Sequence, residues 1–311
     1  MNAAVIGVGH LGRFHAQKYA ALETANLVGV YDHDPERAKT VANELGVKAF
    51  ESMEQLFKEV DAVTVAATTS AHYDICKQAL NAGLHVHVEK PITTTSAEGR
   101  ELCELADEKA LKLQVGHVER FNPALVAVKE KLKKPLFIEC HRLAPFKPRG
   151  VDVNVVLDLM IHDLDMILHL VDSEVVKIDA VGTPVLTKTV DIANARLEFK
   201  SGAVANVTAS RVSLNAQRKF RVFQGAQYLS LDFGSGDVRL MTKTSEAGDG
   251  AMPTIDTEAW NLEKADALME ETKSFVRSVT EDAPVVVTGW DGLRALELAE
   301  DILSKIEIKH G

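Results

Sequence analysis

Four ionisable side chains recur at spacings of four, three and four inside an apolar stretch: Asp158, His162, Asp165 and His169. Around them stand Val155, Val156, Leu157, Leu159, Met160, Ile161, Leu164, Met166, Ile167, Leu168 and Leu170. That run reads as a helix over about 153–170, apolar nearly all round and therefore buried. At about 100° per residue the four polar groups fall within an arc of roughly 60°. Burying them unpartnered is costly, so the stripe is expected to face a ligand, water or a polar network. The chemistry it offers is proton transfer. A neutral imidazole with a pKa near about 6.5 can take a proton from a hydroxyl, and a carboxylate stands one turn earlier. A metal held by Asp158 and His162, or a purely structural histidine, are the competing readings.

A second constellation lies at the N-terminus. Gly7, Gly9 and Gly12 follow the apolar run Ala3 to Ile6 and open a helical stretch from Arg13 to Leu22. Asp32 lies twenty positions after Gly12, at the end of the next apolar run. In that setting the spacing is that of a dinucleotide site. Gly7 permits a tight turn, Gly9 lets the backbone approach a pyrophosphate, and Gly12 lets helix and strand pack closely. The helix N-terminus, entered through His10 and Leu11, offers free N–H groups to the phosphates. Asp32 can accept hydrogen bonds from both ribose hydroxyls and would repel a 2′-phosphate, so NAD is expected rather than NADP. Asp34 strengthens that field; His33 and Arg37 oppose it slightly. A strand-ending turn residue is the plain alternative for Asp32.

The elements needed to position these groups can be read along the chain. Apolar runs at 3–6, 27–31, 62–66, 84–88 and 112–115 alternate with helical stretches at 13–22, 36–45, 53–58, 72–82 and 97–110. Strands separated by helices of that length pair in parallel. Beyond residue 118 the pattern changes. A helix over 123–133, a strand over 136–143 and a loop of proline and basic residues at 145–150 precede the helix at 153–170. Strand-like runs follow at 175–186, 193–199, 203–211, 219–224 and 228–233, then closing helices at 260–280 and 291–308. The expectation is an α/β chain with a Rossmann doubly wound parallel sheet over 1–118. An α+β domain with a mostly antiparallel sheet is expected over 119–311.

Bulk composition sets limits. A chain of 311 residues fits two domains, and 46% hydrophobic with 26% charged residues is ordinary for a soluble protein. Lys and Arg total 35 against 45 Asp and Glu, a net charge of −10. That balance argues against nucleic acid or an anionic membrane as partner. Cys76, Cys103 and Cys140 form no C-x-x-C pair, so neither a disulfide framework nor a zinc site is expected. His85 and His87 share one face of a strand without a third ligand type nearby. Helix packing is expected there, and no metal. No signal peptide or bilayer-spanning run is read, and the expected location is cytoplasmic.

The fourth apolar run continues into Glu89-Lys90-Pro91. With the glycine turn and Asp158-x-x-x-His162, it resembles the glucose–fructose oxidoreductase and inositol dehydrogenase (Gfo/Idh/MocA) superfamily along the whole chain. The resemblance implies that Lys90 sits beside the nicotinamide and the substrate hydroxyl, with Glu89 lining the cofactor. It also implies a bend at Pro91, often at a cis peptide, and His162 as the acid/base residue with Asp158 within reach. Where that family has a turn such as Thr-Pro-Asn after the third strand, this chain has Thr68-Thr69-Ser70-Ala71-His72. Thr68 and Thr69 are expected to line the cofactor; His72 could cap the following helix or approach the nicotinamide.

The stretch Val115 to Pro123 and the loop Pro145 to Asp152 are similar to the nucleotide-sugar branch, in particular UDP-N-acetylglucosamine 3-dehydrogenases. Those enzymes oxidise the sugar 3-hydroxyl to a ketone, which an aminotransferase partner converts to an amine, in some bacteria for lipid A. The branch implies substrate contacts from Glu119, Arg120, Asn122, Lys147, Arg149 and Asp158. Independently, Arg120, Arg142, Lys147 and Arg149 are cations that a diphosphate would use. The expected function is NAD-dependent oxidation of the 3-hydroxyl of a nucleotide sugar, with His162 taking the proton and Lys90 steadying the forming carbonyl oxygen. A dehydrogenase of a free polyol and a non-catalytic NAD-binding regulator are the alternatives. A homodimer or homotetramer is implied by the resemblance alone.

Overall fold

In the computed structural model, residues 1–147, 153–245, 252–262 and 265–307 are described. The first apolar runs become parallel strands because helices cover them: all four residues of Ala62–Val65 are buried, as expected of a strand packed on both faces. In chain order the elements are β1 Asn2–Ile6, α1 His10–Ala20, β2 Asn26–Tyr31, α2 Pro35–Leu45, β3 Lys48–Ala49 and α3 Met53–Phe57. There follow β4 Ala62–Val65, α4 Thr69–Asn81, β5 His85–Glu89, α5 Ser96–Glu108 and β6 Leu113–Gly116. The six-stranded sheet runs β3-β2-β1-β4-β5-β6. Its order reverses between β1 and β4, so the crevice at a doubly wound sheet's ligand-binding point opens where Gly7 and Ala66–Thr68 leave those strands. The two-residue edge strand β3 is an addition to the sequence reading. Local chemistry sets the helix starts. Asp34 accepts hydrogen bonds from the Glu36 and Arg37 N–H groups with Pro35 in the first turn of α2, and Thr95 with Glu98 forms a capping box on α5.

Residues Asp266–Leu296 belong to the same compact unit as Met1–Val118. The helix expected over 260–280 starts later than the sequence suggests. Trp260 lies on a strand, and Asp266 accepts from the Met269 N–H to begin α8, Ala267–Thr280. Phe275 and Val276 of that helix enter the core with Val5, Tyr19 and Val30. The next helix, α9, runs Gly289–Lys305, and its first part packs tightly here: a Cβ on Gly292 would stand 2.6 Å from Val115.

The second unit comprises Glu119–Ala265 and the chain from Glu297. The helix expected over 123–133 shortens to α6, Pro123–Val126, followed by a 3₁₀ turn at Lys129–Lys131. Leu132 is already extended. Pro135 disfavours helical backbone at the residue before it, and the lysine-rich segment offers no continuous apolar face to hold a helix down. The remaining elements are β7 Phe137–Leu143, α7 Ile161–Val171, β8 Val175–Thr183, β9 Ile192–Phe199, β10 Val204–Ser210 and β11 Gln217–Gln224. Then come β12 Gln227–Asp232, β13 Asp237–Lys243 and β14 Ile255–Asn261. They form an eight-stranded sheet ordered β14-β13-β12-β11-β7-β10-β9-β8. Only β7 and β10 pair in parallel among these strands. Burial alternates along β7, so one face is covered. That face packs Ile138, Cys140, Val207, Phe220 and Val222 with Met160, Leu164, Ile167 and Ile302. Strands β13 and β14 were not anticipated from the sequence.

Candidate active site

The glycine turn is built from close approaches. Gly7 has φ +83°, a left-handed backbone, and a Cβ there would lie 2.6 Å from the Ala67 backbone. A Cβ on Gly12 would lie 1.8 Å from the Gly7 carbonyl oxygen. Gly9 differs: it is the N-cap of α1 with no side-chain cap, and a Cβ on it would meet nothing within 4 Å. So Gly7 and Gly12 close the turn against helix and strand, while Gly9 leaves open space beside the helix N-terminus. His10 and Leu11 are exposed in that first turn. Asp32 is buried and fixed to the turn. Its Oδ2 accepts the Val8 N–H at 2.7 Å; its Oδ1 accepts the Asp34 N–H at 2.9 Å and Arg37 Nη1 at 3.2 Å. Arg37 therefore sits closer to the Asp32 carboxylate than sequence reading alone suggests. Thr68, three residues past the end of β4, is the N-cap of α4, and Thr69 begins the helix. Free helix N–H groups, an anchored carboxylate and a turn left open at Gly9 fit a dinucleotide.

Lys90 follows β5, half-buried, with a cis bond to Pro91. Its neighbours turn inward. Glu89 Oε1 lies 2.8 Å from His15 Nε2, and Glu89 Oε2 accepts the Lys90 N–H at 3.2 Å. His72 is buried, with Nδ1 3.0 Å from the Pro91 carbonyl oxygen and Nε2 3.1 Å from that of Ala67. The geometry presents a third role for His72: its ring lies between two backbone carbonyls of this unit, and a neutral imidazole donates to one of them. Burial lowers its pKa, against the two carbonyl contacts and the charge of Glu89. Behind Glu89 lies a chain of buried polar groups. The rings of His15 and His87 meet edge to face at 5.1 Å, His87 Nδ1 is 3.4 Å from Thr64 Oγ1, and Thr64 Oγ1 is 2.9 Å from the Tyr19 hydroxyl. His87 Nε2 stands 3.8 Å from Glu271 Oε2 of α8. Burial, with the charge of His15, pushes the His87 pKa down to about 3, and burial lifts the Glu271 carboxyl well above the usual range. Burial also acts to raise Glu89, but the hydrogen bond and charge of His15, with His87 and Lys90, outweigh it and hold the carboxyl at about 2.

In the second unit the polar stripe divides. Val156–Met160 is a π-helical turn ahead of α7, so Asp158 precedes His162 across a widened turn. Both are half-buried. Asp165 is buried and paired with Arg120, Oδ2 to Nε at 2.6 Å and Oδ1 to Nη2 at 2.8 Å, while His169 is exposed. Asp163, outside the expected stripe, pairs with Arg142 at 3.0 and 2.8 Å, and Arg142 also donates to Glu119 at 2.7 Å. Burial works against that guanidinium's charge, but the charges of Asp163 and Glu119 raise its pKa further. Asn122 donates to Glu119 at 3.0 Å and accepts the Ala124 N–H at 3.0 Å as the N-cap of α6. Glu119, Arg120 and Asn122, expected at the substrate, thus take part in hydrogen bonding within this unit. Lys147 is exposed; Arg149 lies outside the described residues.

Sequence reading passed over Arg211. It is buried, donates to the Val153 carbonyl, lies 3.8 Å from Asp158 Oδ2 and stands 4.0 Å from Asp191 Oδ1. Asp191 Oδ2 accepts three backbone N–H groups, from Val185, Leu186 and Thr187, at 2.7 to 2.8 Å. The one available signal was an arginine closing a strand of small and apolar residues.

A turn that fits a dinucleotide in one unit, and a histidine–aspartate pair on a helix in the other, are each what a nicotinamide-dependent oxidoreductase requires. Residues 1–117 match the oxidoreductase family with an NAD-binding Rossmann fold, and residues 138–225 match the GFO/IDH/MocA C-terminal domain. The chain belongs to the GFO/IDH/MocA oxidoreductase family, and its cofactor is NAD. It is 41% identical over 308 residues to the UDP-N-acetylglucosamine 3-dehydrogenase of Acidithiobacillus ferrooxidans, covering 99% of this chain and 97% of that one. A solved structure of that enzyme superposes with a TM-score of 0.92 at 40% identity, covering 98% and 97% of the two chains. The myo-inositol 2-dehydrogenase of Thermotoga maritima is 28% identical over 331 residues, covering 99% and 97%.

Proposed function

We propose that this enzyme oxidises the 3-hydroxyl of UDP-N-acetylglucosamine to the 3-keto sugar. The supporting observation is the 41% identity to a UDP-N-acetylglucosamine 3-dehydrogenase over nearly the full length of both chains. NAD, when bound, supplies the acceptor for the hydride that leaves the sugar carbon. The chain's own groups do the rest. His162 takes the hydroxyl proton at Nε2, its Nδ1 being buried. Lys90 Nζ donates to the oxygen as it becomes a carbonyl, and Asp158 hydrogen-bonds a sugar hydroxyl or orients the imidazole. Gly7, Gly9, Gly12, Asp32, Thr68 and Thr69 line the dinucleotide. The product ketone suits an aminotransferase, which would place the enzyme in supply of an amino sugar such as that of lipid A. A homodimer or homotetramer is expected from the family resemblance. No helix among the described residues is long and apolar enough to cross a membrane.

The test is NADH formation with UDP-N-acetylglucosamine, UDP-N-acetylglucosaminuronic acid and myo-inositol, with the ketone position assigned by NMR. Lys90→Ala and His162→Ala are each expected to lower kcat by about 10²- to 10⁴-fold while NAD affinity changes far less. Unchanged turnover in both variants sinks the assignment of roles. A second reading, oxidation of a free polyol, gains from one observation. Arg120 and Arg142 are closed by carboxylates, which leaves Lys147 as the exposed one of the three described cations. On that reading myo-inositol is turned over and Lys147→Ala leaves KM untouched.

A further inference from the structure

Lys90 lies between two residues that are each held by a buried histidine. On one side Glu89 Oε1 is 2.8 Å from His15 Nε2, and Glu89 Oε2 takes the Lys90 N–H. On the other side the Pro91 carbonyl oxygen is 3.0 Å from His72 Nδ1. His15 lies on α1, three residues past Gly12 of the glycine turn, and His72 lies on α4, three residues past Thr69. An ionised carboxylate only accepts hydrogen bonds, so His15 Nε2 carries a proton and donates it to Glu89. Both histidines are almost wholly buried, His15 at 0% and His72 at 1% exposure, so neither ring is available to a cofactor or to substrate. Glycine at 116 leaves space for the Glu89 carboxylate, since a Cβ there would stand 3.2 Å from Oε2.

From this geometry we infer that His15 is a positioning residue for Lys90. It fixes the Glu89 carboxylate, the carboxylate fixes the Lys90 backbone, and the helix that begins at the glycine turn is thereby tied to the lysine. His72 completes the bracket from α4 through the Pro91 carbonyl. The inference rests on the proposed role of Lys90. A lysine whose backbone drifts by about 1 Å loses alignment with the reacting oxygen at a cost of about 10²-fold in rate.

The charges facing Glu89 are His15 on α1, His87 and Lys90 on β5 and its extension, His72 on α4 and Glu271 on α8. Removing His15 takes away the group that most opposes burial, so the Glu89 carboxyl rises into the titratable range. In His15→Leu three changes are expected. Hydrogen exchange at the Lys90 amide accelerates at least about tenfold while α5 is unchanged; kcat falls about 10- to 100-fold with the NAD Kd within about threefold; and an acid-side limb absent from wild type appears in kcat. The limb disappears in His15→Leu combined with Glu89→Gln, whose carboxamide does not titrate. His15→Gln, which keeps a donor for Glu89, recovers most of the lost rate and keeps the inference testable if the leucine variant folds poorly. Unchanged exchange at Lys90, a kcat within about twofold of wild type in His15→Leu, or no recovery in His15→Gln overturns the role of His15. A wild-type chain that oxidises none of the three test substrates overturns the proposed function instead, and the exchange measurement still decides whether His15 holds Lys90.

Discussion

The two units bury charge in opposite ways. In the second, Arg142 is closed by Asp163 and Glu119, and Arg120 by Asp165, each aspartate gripping its guanidinium with both oxygens. Planar guanidinium and carboxylate satisfy one another there, and the result is a rigid base beneath α7. In the first, a single histidine nitrogen meets Glu89, and neither oxygen of Glu271 finds a hydrogen-bond partner among the described residues. Glu271 is kept neutral by burial rather than paired. A closed ion-pair cluster resists change because breaking it strands a charge. An open chain of neutral and singly bonded groups responds to pH and to small displacements. The structural cluster supports the turn that carries His162; the responsive chain ends at Lys90.

The largest effect expected from this contrast follows Arg142→Met. It strands Glu119 and Asp163 in the interior and should cost about 3–5 kcal/mol in urea unfolding of the protein. Replacing Glu119, Asp163 and Arg142 together by Gln, Asn and Met should return much of that loss. A drop below about 1 kcal/mol for the single variant would show that the cluster is not closed. In the first unit Thr64→Val removes the link between Tyr19 and His87 at nearly constant volume. It leaves a buried hydroxyl unsatisfied and should cost about 1–3 kcal/mol by the same measurement.

The smallest effect is one of pH. The Glu271 carboxyl is raised by burial, so the folded state keeps a proton that the unfolded chain releases near pH 4.3, about the free value. Stability from this site is full below that pH and declines as pH rises toward the folded pKa. Glu271→Gln removes the decline, so its urea midpoint relative to wild type should be higher at pH 8 than at pH 5. Glu89 has the opposite sign. With its carboxyl held at about 2, its contribution is full above the unfolded value and is lost as pH falls toward about 2. Equal offsets for Glu271→Gln at both pH values would mean that its carboxylate has an unseen partner.

The sequence by itself determined the parallel sheet, the glycine turn with Asp32, and the apolar rod that carries His162. These are local properties: glycine spacing, strand-and-helix alternation and 3.6-residue periodicity act within a few residues of themselves. It could not determine that the turn at Val156–Met160 is π-helical, since one inserted residue per turn leaves composition and hydropathy alike unchanged. Nor could it divide the stripe. Asp158 and Asp165 look equivalent seven residues apart, and only the arrival of Arg120 from another part of the chain makes Asp165 a structural ion pair. The same holds for Glu89, which the family resemblance put beside the cofactor, and for His72, left open between a helix cap and the nicotinamide; their side chains meet His15 and two backbone carbonyls. Which polar groups face a ligand and which face each other depends mostly on partners 19 to 74 residues away in sequence, the Ala67 carbonyl beside His72 being the near exception. Burial makes those partnerships compulsory, and only the tertiary structure says which are formed.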